Sequence, residues 1–127
     1  MPDLDIVDET FIAVPPKLVA AVFVEPASWQ RFWPDLRLEV YADRGDQGQR
    51  WTIQGALTGT MEVWLEPMLD GTLLHYFLRA DLARPARRPR ELRREYTRRQ
   101  LAAKALSLDL KAQLENGRAP GCPPDLT

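Results

Sequence analysis

The sequence predicts an α+β fold with an antiparallel sheet of about five strands, two short helices after the first strand and a long C-terminal helix. A strand-like segment and two proline-bounded helical segments come first, four segments of alternating apolar and polar residues follow, and one long helical segment comes last. The 127 residues, 45% of them hydrophobic, suit a single domain. We expect this domain to span residues 1–117 and residues 118–127 to be a disordered, proline-rich tail.

The N-terminal part of the chain predicts one strand and two short helices. Residues 4–13 mix β-branched and aromatic residues with polar ones in loose alternation, which is typical of a strand. Pro15 and Pro16 end it, because proline cannot donate to a sheet ladder but fits the first turn of a helix. We therefore expect helices over residues 17–24 and 27–33, each bounded by proline.

The middle of the chain predicts a meander of four strands. Apolar and polar side chains alternate in residues 36–43, 49–56, 60–66 and 72–82, so each predicted strand has one apolar face. We expect a Gly- and Asp-rich turn between the first two strands and a break at residues 55–59. An Asp-Gly pair predicts a hairpin before the last strand.

A long helix is predicted over residues 89–116, from a proline start to an Asn-Gly stop. A surface helix usually has one apolar stripe, whereas this helix has two that lie nearly opposite each other. We expect the first stripe to face the sheet and the second to lack cover within the chain. The first comprises Leu92, Tyr96, Ala103, Leu106, Leu110 and Leu114, and the second Leu101, Ala105, Leu108 and Ala112.

Two segments in this order of elements resemble a known family. Residues 26–34 read PASWQRFWP, and residues 66–78 read EPMLDGTLLHYFL, in which a Gly-Thr pair opens the last strand. With the order of elements, they resemble the START-like (SRPBCC) superfamily, in a short form of its bacterial polyketide cyclase/dehydrase and lipid-transport branch. The resemblance covers about residues 4–116. Members usually have six or seven strands, and this chain lacks a hairpin between residues 56 and 60.

The resemblance implies a helix-grip fold, in which a curved sheet wraps around the C-terminal helix. The groove between them would bind a hydrophobic small molecule, such as a lipid or a polyketide-like aromatic. Because pocket walls are mostly apolar with a few polar groups, we expect the apolar strand faces and the first helix stripe to line it. The expected ligand-binding residues are Trp33, Leu38, Val40, Trp51, Ile53, Met61, Val63, Leu74, Tyr76, Leu78, Tyr96, Arg99, Ala103 and Leu106.

No catalytic constellation is visible in the sequence. It contains no Ser/His/Asp order, no metal-ligand spacing and no Gly-rich phosphate loop, so we expect neither a metal nor a cofactor. The alternation of the last strand places His75, the only histidine, on the face opposite the groove. The same argument predicts that Glu62 and Glu66 are solvated.

The resemblance leaves an enzymatic alternative, a polyketide cyclase or dehydrase. The only polar groups expected near the groove are Tyr76, Tyr96 and Arg99. A tyrosine hydroxyl beside an arginine can stabilise an enolate through a directed hydrogen bond and positive charge.

The net charge of −1 hides a basic segment. Residues 79–104 contain ten basic and three acidic side chains, which leaves a charge of −8 on the rest of the chain. The Arg84–Arg99 cluster is compatible with a solvated helix start, with capture of an anionic ligand or lipid headgroup, or with nucleic-acid binding. A pI of 5.8 and the lack of a nucleic-acid-binding motif argue against nucleic acid as the partner.

The sequence predicts a cytoplasmic protein. No apolar run approaches the roughly 20 residues of a membrane span. The N-terminus lacks the basic and apolar regions of a signal peptide. Cys122 is the only cysteine, so no internal disulfide can form.

The second helix stripe predicts a homodimer. Exposed apolar patches commonly mark interfaces, and Leu101 and Leu108 lie on the stripe that the sheet does not cover. The outer sheet face, with Trp64, Leu73 and Phe77, is the other candidate interface. A shortened sheet would also leave an open edge for a second chain.

Overall fold

The computed structural model describes residues 1–116, and their elements follow the predicted order. The expected tail at residues 118–127 lies outside the described residues. Five strands, two short helices that both begin at proline, and one long helix confirm the α+β prediction. The elements are β1 (Leu4–Ile12), α1 (Pro16–Phe23), α2 (Pro26–Phe32), β2 (Leu36–Asp43), a 3₁₀ turn (Gly45–Gln47), β3 (Gly48–Gly55), β4 (Leu57–Met68), β5 (Gly71–Leu82) and α3 (Pro89–Glu115).

The five strands form one antiparallel sheet in the order β1-β5-β4-β3-β2. The pairing aligns Ile6, Leu78, Met61, Trp51 and Val40 in one row across the sheet. Since side chains alternate along a strand, this register gathers the apolar side chains on one face. The core lies between that face and the three helices.

The expected break at residues 55–59 is wrong, because the chain reverses almost at once. β3 ends at Gly55 with φ +115°, and β4 begins two residues later. The N–H of Ala56 donates to the Asp35 carbonyl at 3.1 Å. Gly59 lies inside β4, where a Cβ atom would come within 2.2 Å of the Arg79 carbonyl oxygen. Gly55 therefore allows a tight turn, and Gly59 allows β4 and β5 to approach closely.

Helix α3 runs alongside β1 and covers the free edge of the sheet on that side. Three side chains of α3 donate to outward-facing carbonyl groups of β1, and a fourth accepts from the N–H just beyond the strand. The expected open edge is therefore corrected for β1, and β2 forms the other edge of the sheet. The donor and acceptor pairs are Tyr96 Oη to Asp5 O (2.6 Å), Lys104 Nζ to Glu9 O (2.9 Å), Lys111 Nζ to Phe11 O (2.8 Å) and Ala13 N to Glu115 Oε2 (2.8 Å).

The two stripes of α3 lie as predicted. Ala103 and Leu110 of the first stripe are buried, and the rest of that stripe packs against the core while half-buried. In the second stripe, Leu101 is 66% exposed and Leu108 is 50% exposed. One face of α3 therefore contributes to the core, and the opposite face is open.

Gly48, at the start of β3, provides a test of this backbone geometry. Its φ is +118°, and an added Cβ would lie 1.9 Å from the Val63 carbonyl oxygen. We expect Gly48→Ala to lower the free energy of unfolding by about 2–3 kcal/mol, because both the backbone and its neighbour must shift. Gly45→Asn is the matched control, since this glycine has φ +61° and open space around it. Urea denaturation showing equal stability for the two variants would contradict the argument.

Candidate functional site

An aromatic cluster fills the centre of the molecule. Trp51 of β3 is fully buried, and its ring lies 5.8 Å from the rings of both Trp29 and Trp33 and 6.4 Å from that of Phe23. Trp33, just after α2, stacks on Tyr76 of β5 at 6.2 Å and 12°. The two short helices thus insert aromatic rings into the space between sheet and helix, and this space is largely occupied.

A cleft of about 270 Å³ remains between the α2–β2 connection and α3. Four of the predicted site residues line it: Trp33, Tyr76, Arg99 and Ala103. The remaining predicted residues do not, and most of them belong to the core or pack against it, so their contact with a ligand stays a prediction. The full lining is Phe32, Trp33, Pro34, Asp35, Tyr76, Arg98, Arg99, Ala102 and Ala103.

An ion-pair cluster of Asp35, Glu95, Arg98 and Arg99 lies at the mouth of the cleft. The buried Arg99 guanidinium donates to both carboxylate oxygens of Asp35, at 3.1 and 2.5 Å, and to Glu95 at 2.9 Å. Arg98 donates twice to Glu95, at 2.7 and 3.1 Å. The cluster joins the α2–β2 connection to α3 across the cleft.

The same contacts shift the acidity of the two carboxyl groups. Partial burial alone would raise the pKa of Asp35, but the hydrogen bonds and charge of Arg99 outweigh burial and lower it. Hydrogen bonding to Arg98, and then to Arg99, lowers the pKa of Glu95 despite partial burial. Both carboxyl groups are therefore ionised near neutral pH and hold Arg99 in place.

Tyr76 is a buried polar residue of the cleft lining. Burial raises the pKa of Tyr76, and the positive charge of Arg99 and a hydrogen bond with Trp33 only partly offset it. The hydroxyl therefore stays protonated at neutral pH, and it is available as a hydrogen-bond donor to a ligand oxygen.

Tyr96 does not line the cleft with Tyr76, so its contact with a ligand stays a prediction. The Tyr96 hydroxyl donates to the Asp5 carbonyl on the edge of β1. The 100° spacing of helix positions predicted the buried stripe that includes Tyr96. It could not predict that the phenol tip extends past the sheet to its edge.

Three buried polar atoms near the core lack a hydrogen-bond partner among residues 1–116. They are Gln49 Oε1, Trp51 Nε1 and Ser107 Oγ. Sequence reasoning did not single out Gln49 and Ser107, which are buried polar residues but do not line the cleft. A signal was present, because Gln49 shares the inward face of β3 with Trp51, and Ser107 interrupts the apolar stripe of α3 between Ala103 and Leu110.

His75 lies on the face of the sheet opposite the cleft, as predicted, but it is buried. Its ring stacks on Trp64 at 4.2 Å. The Nδ1 atom lies 3.3 Å from Glu9 Oε1, and Nε2 lies 3.2 Å from Glu66 Oε1. The expectation that Glu66 is simply solvated is therefore corrected.

Four further side chains depart from the sequence prediction. Trp64, Leu73 and Phe77 of the outer sheet face are half-buried, whereas Val7, which pairs with Phe77, is 53% exposed. Glu62 is also half-buried and pairs with Arg50 at 3.0 Å. Period-2 alternation predicted the face of each residue, but not the cover that neighbouring side chains provide.

Six arginines of the basic segment form a positive end of the molecule. All six are exposed, and within residues 1–116 none of their guanidinium groups contacts a carboxylate. Arg98 and Arg99, in contrast, belong to the ion-pair cluster. The six are Arg84, Arg87, Arg88, Arg90, Arg93 and Arg94.

The described part of the chain offers neither a cluster of metal ligands nor a helix suited to span a membrane. Residues 1–116 contain no group of three or more His, Cys, Asp or Glu side chains placed to hold a metal ion. Within the same residues, no helix is both long enough and apolar enough to cross a membrane.

Comparison with known proteins shows similarity at the level of structure. No protein-family model and no curated protein sequence matches the chain. The solution structure of the Aha1 dimer from Colwellia psychrerythraea superposes with a TM-score of 0.62 and 14% identity, over 91% of this chain and 98% of that chain. The Aha1 structure and the two bacterial structures described below have a sheet that wraps around a C-terminal helix. The chain has the helix-grip fold.

Two further helix-grip structures extend this comparison. Protein MLL2253 from Mesorhizobium loti has a TM-score of 0.64 and 17% identity, over 91% of this chain and 99% of that chain. CalU16 from Micromonospora echinospora has a TM-score of 0.57 and 12% identity, over 80% of this chain and 73% of that chain. The expected helix-grip fold is confirmed, and the identities are too low to transfer a ligand or a reaction.

The ion-pair cluster predicts that the effect of the substitution Asp35→Asn on stability depends on pH. Asp35→Asn removes a charged acceptor from the buried Arg99. We expect this substitution to lower the free energy of unfolding by about 1–2 kcal/mol at pH 7. The effect is modest because the Asp35 side chain is 38% exposed. The folded-state pKa of Asp35 is lowered, so its contribution is present above its unfolded pKa of about 3.9 and is lost as the pH falls through the folded value.

The measurement is urea denaturation of wild type and Asp35→Asn between pH 7 and pH 3. The difference in the free energy of unfolding between the two proteins should decrease below about pH 4. Glu39→Gln is the matched control, because this exposed carboxylate on β2 has no ion-pair partner among the described residues. A difference that stays constant over the whole pH range would rule out the assigned role of Asp35.

Proposed function

We propose that this protein binds a hydrophobic small molecule in the cleft between the α2–β2 connection and α3. The observation that carries the proposal is the lining of the cleft. Phe32 and Trp33 form an aromatic wall, Ala102 and Ala103 leave space on the helix side, and Tyr76 adds a hydroxyl group. Small-molecule sites usually combine apolar walls with a few fixed polar groups, and here the ion-paired Asp35, Arg98 and Arg99 add a charged rim. We place this activity in the cytoplasm, in line with the sequence-based expectation.

The size and lining of the cleft support a small aromatic ligand over a long-chain lipid. Its volume of about 270 Å³ lies just below the usual range of roughly 300–1,000 Å³ for ligand pockets. The aromatic cluster occupies the space that a longer groove would need. Stacked and edge-on ring contacts favour a planar guest of two or three rings.

Tyr76 supports an oxygen-bearing ligand in particular. Its hydroxyl is protonated at neutral pH and lies at the cleft, so it can donate a hydrogen bond to a ketone or similar acceptor. A buried hydrogen bond of this type contributes about 1 kcal/mol, or roughly fivefold in affinity.

The cyclase or dehydrase alternative is less well supported by this geometry. It requires Arg99 to stabilise a developing negative charge. The Arg99 guanidinium already donates to Asp35 and Glu95, which neutralise it before a substrate arrives. We therefore propose binding without assigning a reaction.

We also propose that the protein forms a homodimer. The outer stripe of α3 supports this, since Leu101 and Leu108 are at least half exposed. A structural neighbour, the Aha1 protein of Colwellia psychrerythraea, is itself a dimer. Because Trp64, Leu73 and Phe77 of the outer sheet face are half-buried, we favour α3 as the interface.

Tyr76→Phe tests the proposed binding site. We expect this variant to bind 2-acetylnaphthalene about fivefold more weakly than wild type and to bind 2-ethylnaphthalene equally well, because only the ketone accepts a hydrogen bond. Tyr41→Phe, at an exposed tyrosine of β2, is the matched control and should bind both probes like wild type. Isothermal titration calorimetry gives the affinities. If neither probe binds wild type, or if both probes bind Tyr76→Phe unchanged, the proposed site is wrong.

Light scattering coupled to size exclusion tests the homodimer. At high micromolar concentration we expect a mass near twice the 14.5 kDa of one chain, with dissociation on dilution. A mass of one chain at every concentration would refute self-association and leave the ligand-binding proposal untouched.

A further inference from the structure

The outer stripe of α3 has a spacing that suits a helical partner. Leu101, Ala105, Leu108 and Ala112 follow one another at intervals of four, three and four residues, which is the a/d spacing of a helix-pairing seam. All four are exposed, and they alternate between a large and a small side chain. The seam extends over more than three turns of the helix.

We propose that this seam pairs with α3 of a second copy in the antiparallel orientation. The inference rests on the homodimer proposed above and specifies its geometry. With the two-fold axis midway between Ala105 and Leu108, Leu101 lies opposite the partner's Ala112, and Ala105 lies opposite the partner's Leu108. Each large side chain then meets a small one, so the seam is complementary to itself, as a two-fold interface requires.

A parallel pair lacks this complementarity. It would place leucine against leucine and alanine against alanine, so the distance between the helices that suits one layer would not suit the next. It would also bring the exposed Arg90, Arg93 and Arg94 of both copies together. The antiparallel pair separates these arginines to opposite ends and also opposes the two helix dipoles.

The residues that flank the seam agree with the antiparallel orientation. On the β1 side, Lys104 is already paired with Asp8 at 2.9 Å, and Lys111 with Glu115 at 2.8 Å, so little uncompensated charge faces the partner. On the cleft side, the register places the partner's Asp109 beside Ala102, a residue of the cleft mouth. The second copy therefore adds a carboxylate to the rim of the ligand site.

Electron paramagnetic resonance distances between spin labels can decide the orientation. The label is placed on Arg94→Cys in a Cys122→Ser background, which removes the only native cysteine. Position 94 lies about 12 residues from the two-fold axis, so the antiparallel pair predicts a separation of about 38 Å along the helix. A parallel pair predicts about 10–15 Å, close to the spacing of packed helices.

A pair of glutamate variants locates the interface. Leu108→Glu should abolish the distance signal and give a monomer by light scattering. Tyr41→Glu is the matched control, because Tyr41 is 54% exposed on β2, at the sheet edge opposite β1 and α3, and it should leave the dimer intact.

The outcomes separate the two proposals. A dimer with a separation near 38 Å that Leu108→Glu disrupts supports the antiparallel seam. A dimer with a short separation, or one that survives Leu108→Glu, overturns the seam while self-association stands. A monomer at all concentrations overturns both.

Discussion

The position of α3 depends on its hydrogen bonds to the edge of β1 together with its buried apolar stripe. Tyr96, Lys104 and Lys111 reach successive carbonyl groups of one strand, so the helix must run beside that strand in the same direction. This fixes the rotation of α3 about its axis. One stripe then faces the sheet, the opposite stripe faces outwards, and Arg99 points towards the α2–β2 connection. The position of the cleft and the exposure of the outer seam follow from the same rotation.

The depth of the cleft depends on the aromatic cluster. The helix and the sheet enclose a limited space. Each aromatic ring that packs into the core therefore reduces the volume that is left for the cavity. Trp29 and Trp33 enter from α2 and meet Trp51, leaving a narrow space beside Tyr76. The stability of the fold and the selectivity of the proposed site therefore share the same side chains.

The sequence predicted the strands, the helices and the inward faces, because those depend on local periodicity. It did not predict the partners of polar groups that meet across long separations. Arg99 and Asp35 are 64 residues apart, and Asp35 lies in a short connection with no periodic pattern. Likewise, alternation assigned His75 to its face, but its burial depends on Glu9, Glu66 and Trp64 from two neighbouring strands. The sequence suggested that Gly59 interrupts a strand, because the close contact of Gly59 with β5 is evident only from the structure.

The covered edge of β1 also limits how copies of the chain can add to one another. Fibrous polymers of β-sheet grow when each new copy presents a fresh row of backbone donors and acceptors. On the β1 side, side chains of the same molecule already occupy these groups at several positions. Within residues 1–116, β2 is the other edge of the sheet. Two copies that met through β2 would bury that edge, so a continuous sheet formed in this way would contain two members and would not extend further through backbone pairing.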